Sequence, residues 1–161
     1  MPNFSKPALL LLIWIILLVT NGCKPTGNKI FDLTVQDMEG NEVALTTLRG
    51  KPMVVNFWAT WCAPCRQEKP ELEKARQLLE QEGISFICLS DEDLNTIQTY
   101  LRQKPDGLTY FKLPQSAKWL GVFEYPQTIL INKDGKIVHT HTGYNQWSSP
   151  EAIDIIREKL K

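Results

Sequence analysis

Val55-Asn56-Phe57-Trp58-Ala59-Thr60-Trp61-Cys62-Ala63-Pro64-Cys65-Arg66-Gln67-Glu68-Lys69-Pro70 reads as a strand running into a helix, with two cysteines at the join. Residues 53–58, Met-Val-Val-Asn-Phe-Trp, are a mostly apolar run suited to a buried strand. Beyond the cysteines, Leu72, Ala75 and Leu79 recur at helical spacing and predict a helix over residues 63–82, kinked at Pro70. Cys62 therefore stands at a helix N-terminus, where unsatisfied N–H groups and the positive end of the macrodipole favour a thiolate and where solvent is expected to reach it. Cys65 lies one turn deeper, close enough to bond Cys62 and shielded from larger partners, and Pro64 stiffens the turn between them. This arrangement suits thiol–disulfide exchange in which Cys62 attacks and Cys65 resolves. Glu68 follows Cys65 by three positions on the same helical face. Held against apolar neighbours, its carboxyl acquires a raised pKa and can exchange protons with Cys65. Spacing leaves open the alternative of an ordinary first-turn glutamate that answers the helix dipole.

The flanking sequence supplies a sheet for this junction. Residues 31–35 and 42–45 alternate around Glu39-Gly40-Asn41 and predict a hairpin. Residues 84–89, Ile-Ser-Phe-Ile-Cys-Leu, predict a second buried strand. A helix follows over 92–103, capped by Ser90 or Asp91, with Leu94, Ile97 and Leu101 on one face. Residues 104–115 are looser, with at most a short extended piece near 110–113, and a brief helix near 116–120 precedes Gly121. Strands 127–132 and 137–142 flank the turn Lys133-Asp134-Gly135. The last helix opens with Ser149 as cap and Pro150 at its first position, and packs Ile153, Ile156 and Leu160 inward. The order of hairpin, β-α-β-α and β-β-α is an α/β layout on a mixed sheet.

The chain has 161 residues, 43% apolar, which suits one domain and is too apolar for disorder. Eighteen basic residues balance eighteen acidic ones, so charge gives no case for nucleic acid. Four cysteines are too few for a disulfide framework. Residues 8–19 are twelve uninterrupted apolar residues behind Lys6, about 18 Å of helix against a hydrocarbon core of about 30 Å. They fit the apolar region of a secretory signal, so residues 1–22 are set aside as signal, 23–28 as tether and 29–161 as the folded domain. Without residues 1–22 the count is 17 basic and 18 acidic, a net charge of −1. Gly22-Cys23 resembles the end of a bacterial lipoprotein signal, in which an N-terminal cysteine receives acyl chains, although Thr20 and Asn21 depart from that pattern. An ordinary signal with a stray Cys23, or an uncleaved anchor, are the other readings. All of them place the folded part outside the cytoplasm, where disulfides form.

The stretch 55–70, together with Gly121-Val122-Phe123-Glu124-Tyr125-Pro126-Gln127-Thr128-Ile129-Leu130-Ile131-Asn132-Lys133-Asp134-Gly135-Lys136-Ile137-Val138, resembles the TlpA/ResA-like branch of the thioredoxin superfamily over about residues 28–161. The resemblance implies an α/β thioredoxin-like fold, a mixed central sheet flanked by helices, with an N-terminal β-hairpin extension. It implies an extracytoplasmic, membrane-tethered protein-disulfide oxidoreductase working through a Cys62/Cys65 cycle, with Glu68 in the active site. By the same resemblance the protein reduces exported proteins, for example apocytochrome c. Electrons come from a membrane thiol donor, and no small cofactor is needed. Pro126 is expected to be cis after Tyr125, setting the Tyr125 backbone beside the disulfide to pair with an extended substrate. Trp61 is expected to flank the site as an apolar contact surface, beside Ala63 and Pro64. Tyr125 replaces the small or β-branched residue usual before that proline, and Gln127 the usual Thr after it. Tyr125 is thus expected to narrow or reshape the substrate groove, or to bring a hydroxyl near the thiols.

Other readings are bland. A zinc site would need Cys88, His139 and His141 as further ligands, but Cys88 reads as core and the two histidines as a solvated strand face. No metal site is therefore expected. Trp58 reads as core, and packing is the default for Trp119 and Trp147. The rival functions are a non-catalytic thioredoxin-like metal carrier or binding module, and a thiol peroxidase.

Overall fold

A computed structural model describes residues 29–161. The proposed signal, the tether and Cys23 lie outside the described residues. Seven strands form one sheet: β1 (Thr34–Gln36), β2 (Glu42–Ala44), β3 (Met53–Phe57), β4 (Ser85–Ser90), β5 (Thr109–Lys112), β6 (Gln127–Ile131) and β7 (Ile137–Thr142). Their order is β2-β1-β5-β4-β3-β6-β7. β3, β4 and β5 run parallel, and every other pairing is antiparallel. The hairpin β1–β2 thus extends a mixed thioredoxin-like sheet at one edge. Three α-helices occur among the described residues: α1 (Ala63–Leu78), α2 (Leu94–Gln103) and α3 (Pro150–Leu160).

Strand alternation divides the core into two layers. Val54, Trp58, Phe86, Cys88 and Leu130 face the helices, meeting Leu72 and Ala75 of α1, Ile97 of α2 and Ile156 of α3. Met53, Val55, Phe57, Ile87, Leu89, Ile129 and Ile131 face the other way, onto Ile30, Phe31 and Leu45. The same alternation sets a polar row into the helix face. Thr128, Asn56, Cys88 and Tyr110 are cross-strand partners on β6, β3, β4 and β5, and His141 of β7 pairs with Thr128 at the end of the row. α1 covers this row.

Several boundaries differ from the sequence reading. α1 ends at Leu78, four residues early, because the chain tightens into a 3₁₀ turn at Glu80–Glu82 and reverses at Gly83, whose φ of 70° suits glycine. It runs through Pro70 as one element, with that ring on the exposed side. α2 begins at Leu94 with Asp93 at the cap position, not Ser90 or Asp91. Ser90 closes β4, and the Asp91 carboxylate is taken by Tyr125 and by the Ala117 N–H. The loose segment 104–115 contains a full strand, β5, which joins the hairpin to the sheet. The brief helix is a 3₁₀ turn at Ala117–Leu120. At α3 the Ser149 side chain accepts from the Ala152 N–H at 3.2 Å, as its cap position requires.

Candidate active site

β3 delivers the chain to the cysteines. Beyond Phe57, Trp58 is fully buried, and Cys62 becomes the N-cap of α1 with Pro64 in the helix's first turn. Cys62 and Cys65 are joined by a disulfide, with Cα atoms 5.3 Å apart. The Cys62 sulfur also accepts the Cys65 N–H at 3.2 Å, so it occupies the place of a capping oxygen. A thiolate there is stabilised by that donor and by the helix terminus. The solvent access expected at Cys62 is absent from the bonded pair, which leaves Cys62 3% and Cys65 1% exposed. The sulfur turns inward, to its partner and to the cap. Ala63 and Pro64 remain at the surface.

Glu68 is wholly buried beneath α1. Its Oε1 accepts from Trp147 Nε1 at 2.8 Å and from the Asn145 N–H at 3.1 Å. Its Oε2 accepts from Asn56 Nδ2 at 2.9 Å, and Asn56 also donates to Thr128 Oγ1 at 2.9 Å. Three donors favour the carboxylate, yet burial outweighs them and lifts the pKa to about 7. This is no solvated first-turn glutamate. Trp147 is a buried donor as well as a packing residue, and the His141 ring meets it edge-on at 5.6 Å. Most buried indoles find a partner for the N–H, which is the only hint the sequence offers. That the partner is Glu68, 79 positions away, is a product of the fold.

Lys69 is a second buried group, and nothing in its sequence spacing marks it. Its ammonium lies 3.7 Å from the Trp58 ring centroid, 4.3 Å from Tyr110 and 4.6 Å from Tyr100, with the Asp106 carboxylate at 3.7 Å. Among the described residues it has no hydrogen-bond partner. Burial lowers its pKa to about 8 against the opposing pull of Cys88 and Asp106. The folded protein therefore sheds this proton near pH 8 and the unfolded chain only near 10.5. Stability should rise over that window, by about 3 kcal/mol at most from this group. We expect Lys69→Met to melt higher than the parent at pH 7 and to lose the rise between pH 8 and 10. Asp106 still accepts from Tyr110 Oη at 2.6 Å and the Leu108 N–H at 3.1 Å. A lower melting point at pH 7 would show that the aromatic cage more than offsets the lost hydration.

The opposite wall is the turn before β6. The Tyr125–Pro126 peptide is cis, and Pro126 is buried. The Tyr125 ring stands 5.9 Å from that of Trp61, which is 69% exposed. The two help to line a cleft of about 650 Å³ together with Asp91, Lys118, Phe123 and Glu124. The Tyr125 hydroxyl donates to Asp91 Oδ1 at 2.8 Å, so it is engaged away from any role as a free group. Burial and that bond raise its pKa. Trp119, expected to pack, is 71% exposed, because its 3₁₀ turn buries Ala117 instead. Cys88 is buried and free, its thiol pushed up to about 12. His139 and His141 are half-buried rather than fully solvated, and no cluster of three metal-ligating side chains occurs among the described residues.

A bonded Cys-x-x-Cys pair at this junction, on this sheet, defines a thioredoxin-like thiol–disulfide oxidoreductase. The chain belongs to the redoxin family, whose model matches residues 25–156. It is 32% identical over 122 residues to the thiol-disulfide oxidoreductase ResA of Halalkalibacterium halodurans, covering 73% of this chain and 68% of that one. Among solved structures, a Bacteroides vulgatus protein assigned as a thiol-disulfide oxidoreductase superposes with a TM-score of 0.69 at 30% identity, over 79% of this chain and 91% of that one. A Chlorobium tepidum protein assigned as the thiol:disulfide interchange protein DsbE gives 0.69 at 25% identity, over 83% and 93%.

Proposed function

We propose that this oxidoreductase acts outside the cytoplasm as a reductant of disulfides in exported proteins, apocytochrome c being one such target. The observation that carries this reading is the Cys62–Cys65 disulfide set on the N-terminus of α1, one turn above the buried carboxyl of Glu68. In the reduced protein the Cys62 thiolate attacks a substrate disulfide, giving a mixed disulfide and a substrate thiolate. Cys65, relieved of its proton by Glu68, then attacks the Cys62 sulfur and releases the second substrate thiol. Two electrons pass to the substrate and the enzyme ends as the bonded pair seen here. A membrane thiol donor restores the dithiol. The apolar run 8–19 followed by Gly22-Cys23 supports an exported chain held at a membrane through an acylated Cys23. Trp61, Ala63, Pro64, Tyr125 and Pro126 form the substrate surface in this reading, with an extended segment pairing along the Tyr125 backbone.

The deeper placement of Cys65 gives the test. Cys65→Ala should accumulate mixed disulfides with its substrates in its native cells, visible as reducible high-mass bands on non-reducing gels, and the captured proteins identify the targets. Adducts that form instead in a Cys62→Ala variant, through Cys65, would reverse the two roles. Captured proteins that are all cytoplasmic would refute the location.

A further inference from the structure

The segment that ends β4 binds both walls of the cleft. Glu92 accepts the Thr60 N–H on Oε2 at 2.6 Å and the Thr60 hydroxyl on Oε1 at 2.7 Å. Arg66 Nη1 donates to the Thr60 carbonyl at 2.8 Å, so every polar group of the residue that leads into Trp61 and Cys62 is held. Asp91, its neighbour, accepts the Tyr125 hydroxyl on Oδ1 at 2.8 Å and the Ala117 N–H on Oδ2 at 3.0 Å. Two consecutive carboxylates thus tie the cysteine loop, the turn before Pro126 and the 3₁₀ turn at Ala117–Leu120 to one point.

We propose that Asp91 and Glu92 are positioning residues that set the gap between Trp61 and Tyr125, and so determine which polypeptide segments enter the cleft. The proposal rests on the reading of that cleft as the substrate surface. Three features support it. Each of the five bonds is directed at a loop that borders the cleft. All five have a charged partner and fall at or below 3.0 Å, as charge-assisted bonds do. Finally, the Tyr125 ring and the ring of Trp61, which follows the clamped Thr60, meet at 5.9 Å between centroids. Once the hydroxyl bond is cut, the half-buried Tyr125 ring is held by packing alone, and the freedom its outer edge gains must be ordered again by an entering segment.

The test is steady-state kinetics with insulin as a protein disulfide, for the whole folded protein bearing Tyr125→Phe, Asp91→Ala or both. Tyr125→Phe, which loses one charge-assisted bond, should raise KM for insulin about five-fold, and Asp91→Ala, which loses the Ala117 bond as well, at least as much, with kcat changed less than two-fold in each. Because the Tyr125 hydroxyl acts only through its bond to Asp91, the double variant should be no worse than Asp91→Ala. A parallel fall in kcat and melting temperature with KM unmoved would make the carboxylates simple fold supports and overturn the proposal, as would additive effects. Should Asp91→Ala fail to fold, Tyr125→Phe and Glu92→Gln carry the same expectation, since Gln still accepts only one of the two Thr60 donors. Trp61→Ala separates the two levels of argument. If it raises KM while Tyr125→Phe does not, the cleft binds substrate and the clamp idea falls. If Trp61→Ala also leaves KM unmoved, the cleft is not the substrate surface and both fall.

Discussion

Cys62→Ser should reduce insulin disulfide reduction to the uncatalysed rate, a loss on the order of 10³-fold or more, as expected when a nucleophile is removed. The substitution is chosen because the fold survives it. Serine is among the preferred N-cap residues, and its hydroxyl can accept the Cys65 N–H that the Cys62 sulfur now accepts at 3.2 Å. The bridge that is lost closes a loop of only a few residues, so its removal costs about 2 kcal/mol in the chain-entropy account. What does change is the reacting atom. An alcohol at a helix terminus stays protonated at neutral pH, whereas a thiol there is drawn toward the anion. Circular dichroism and turbidity of reduced insulin, measured on the same preparation, separate folding from chemistry. A folded Cys62→Ser protein that still reduces insulin would place the attacking sulfur elsewhere. Among the described residues the candidates would be Cys65, 1% exposed, and Cys88, whose thiol burial pushes up to about 12.

What a sequence reveals of such a site depends on the range of the interaction involved. Periodicity is local, so the strands at 53–58 and 84–89, the cysteine-bearing helix start and the Ser149-Pro150 cap were all legible. The start of the helix that follows β4 is not legible, because Ser90 and Asp91 have good capping chemistry that the fold spends elsewhere, on the strand end and on Tyr125. β5 is faint in the sequence, since Pro105, Gly107 and Pro114 surround four residues whose strand character comes from neighbours on β1 and β4. Within the site, three-residue spacing placed Glu68 under the cysteines, but its donors come from β3 and from the segment before α3. Lys69 is invisible for the same reason: its cage is assembled from Trp58, Tyr100 and Tyr110, which no spacing rule relates.

Glu68→Gln should abolish a pH dependence that the parent protein shows in both exchange rate and stability. The carboxyl titrates at about 7 in the folded protein against an ordinary value of 4.5, and burial is the main cause. Below pH 4.5 it is protonated in both folded and unfolded chains and its burial is tolerated. As the pH rises from there through 7, the unfolded chain ionises first, so the folded state binds the extra proton and loses stability relative to it. The loss from this one group amounts to about 3 kcal/mol, complete above pH 7. Glutamine has the same shape and no proton to lose. Its oxygen can keep the Trp147 and Asn145 donors, and the Asn56 amide can turn over to accept from its nitrogen while Thr128 donates in place of accepting. In urea unfolding of the oxidised protein, Glu68→Gln should gain on the parent as pH goes from 5 to 8, with little difference remaining at the acid end. The kinetics should move with it. Release of the mixed disulfide by Cys65 should slow, and its pH–rate profile should lose the inflection near 7. Parallel stability curves and an unchanged profile would mean that Glu68 is ionised throughout and takes no proton from Cys65. The buried carboxyl would then be only a structural acceptor that joins α1 to β3 and to the turn before α3.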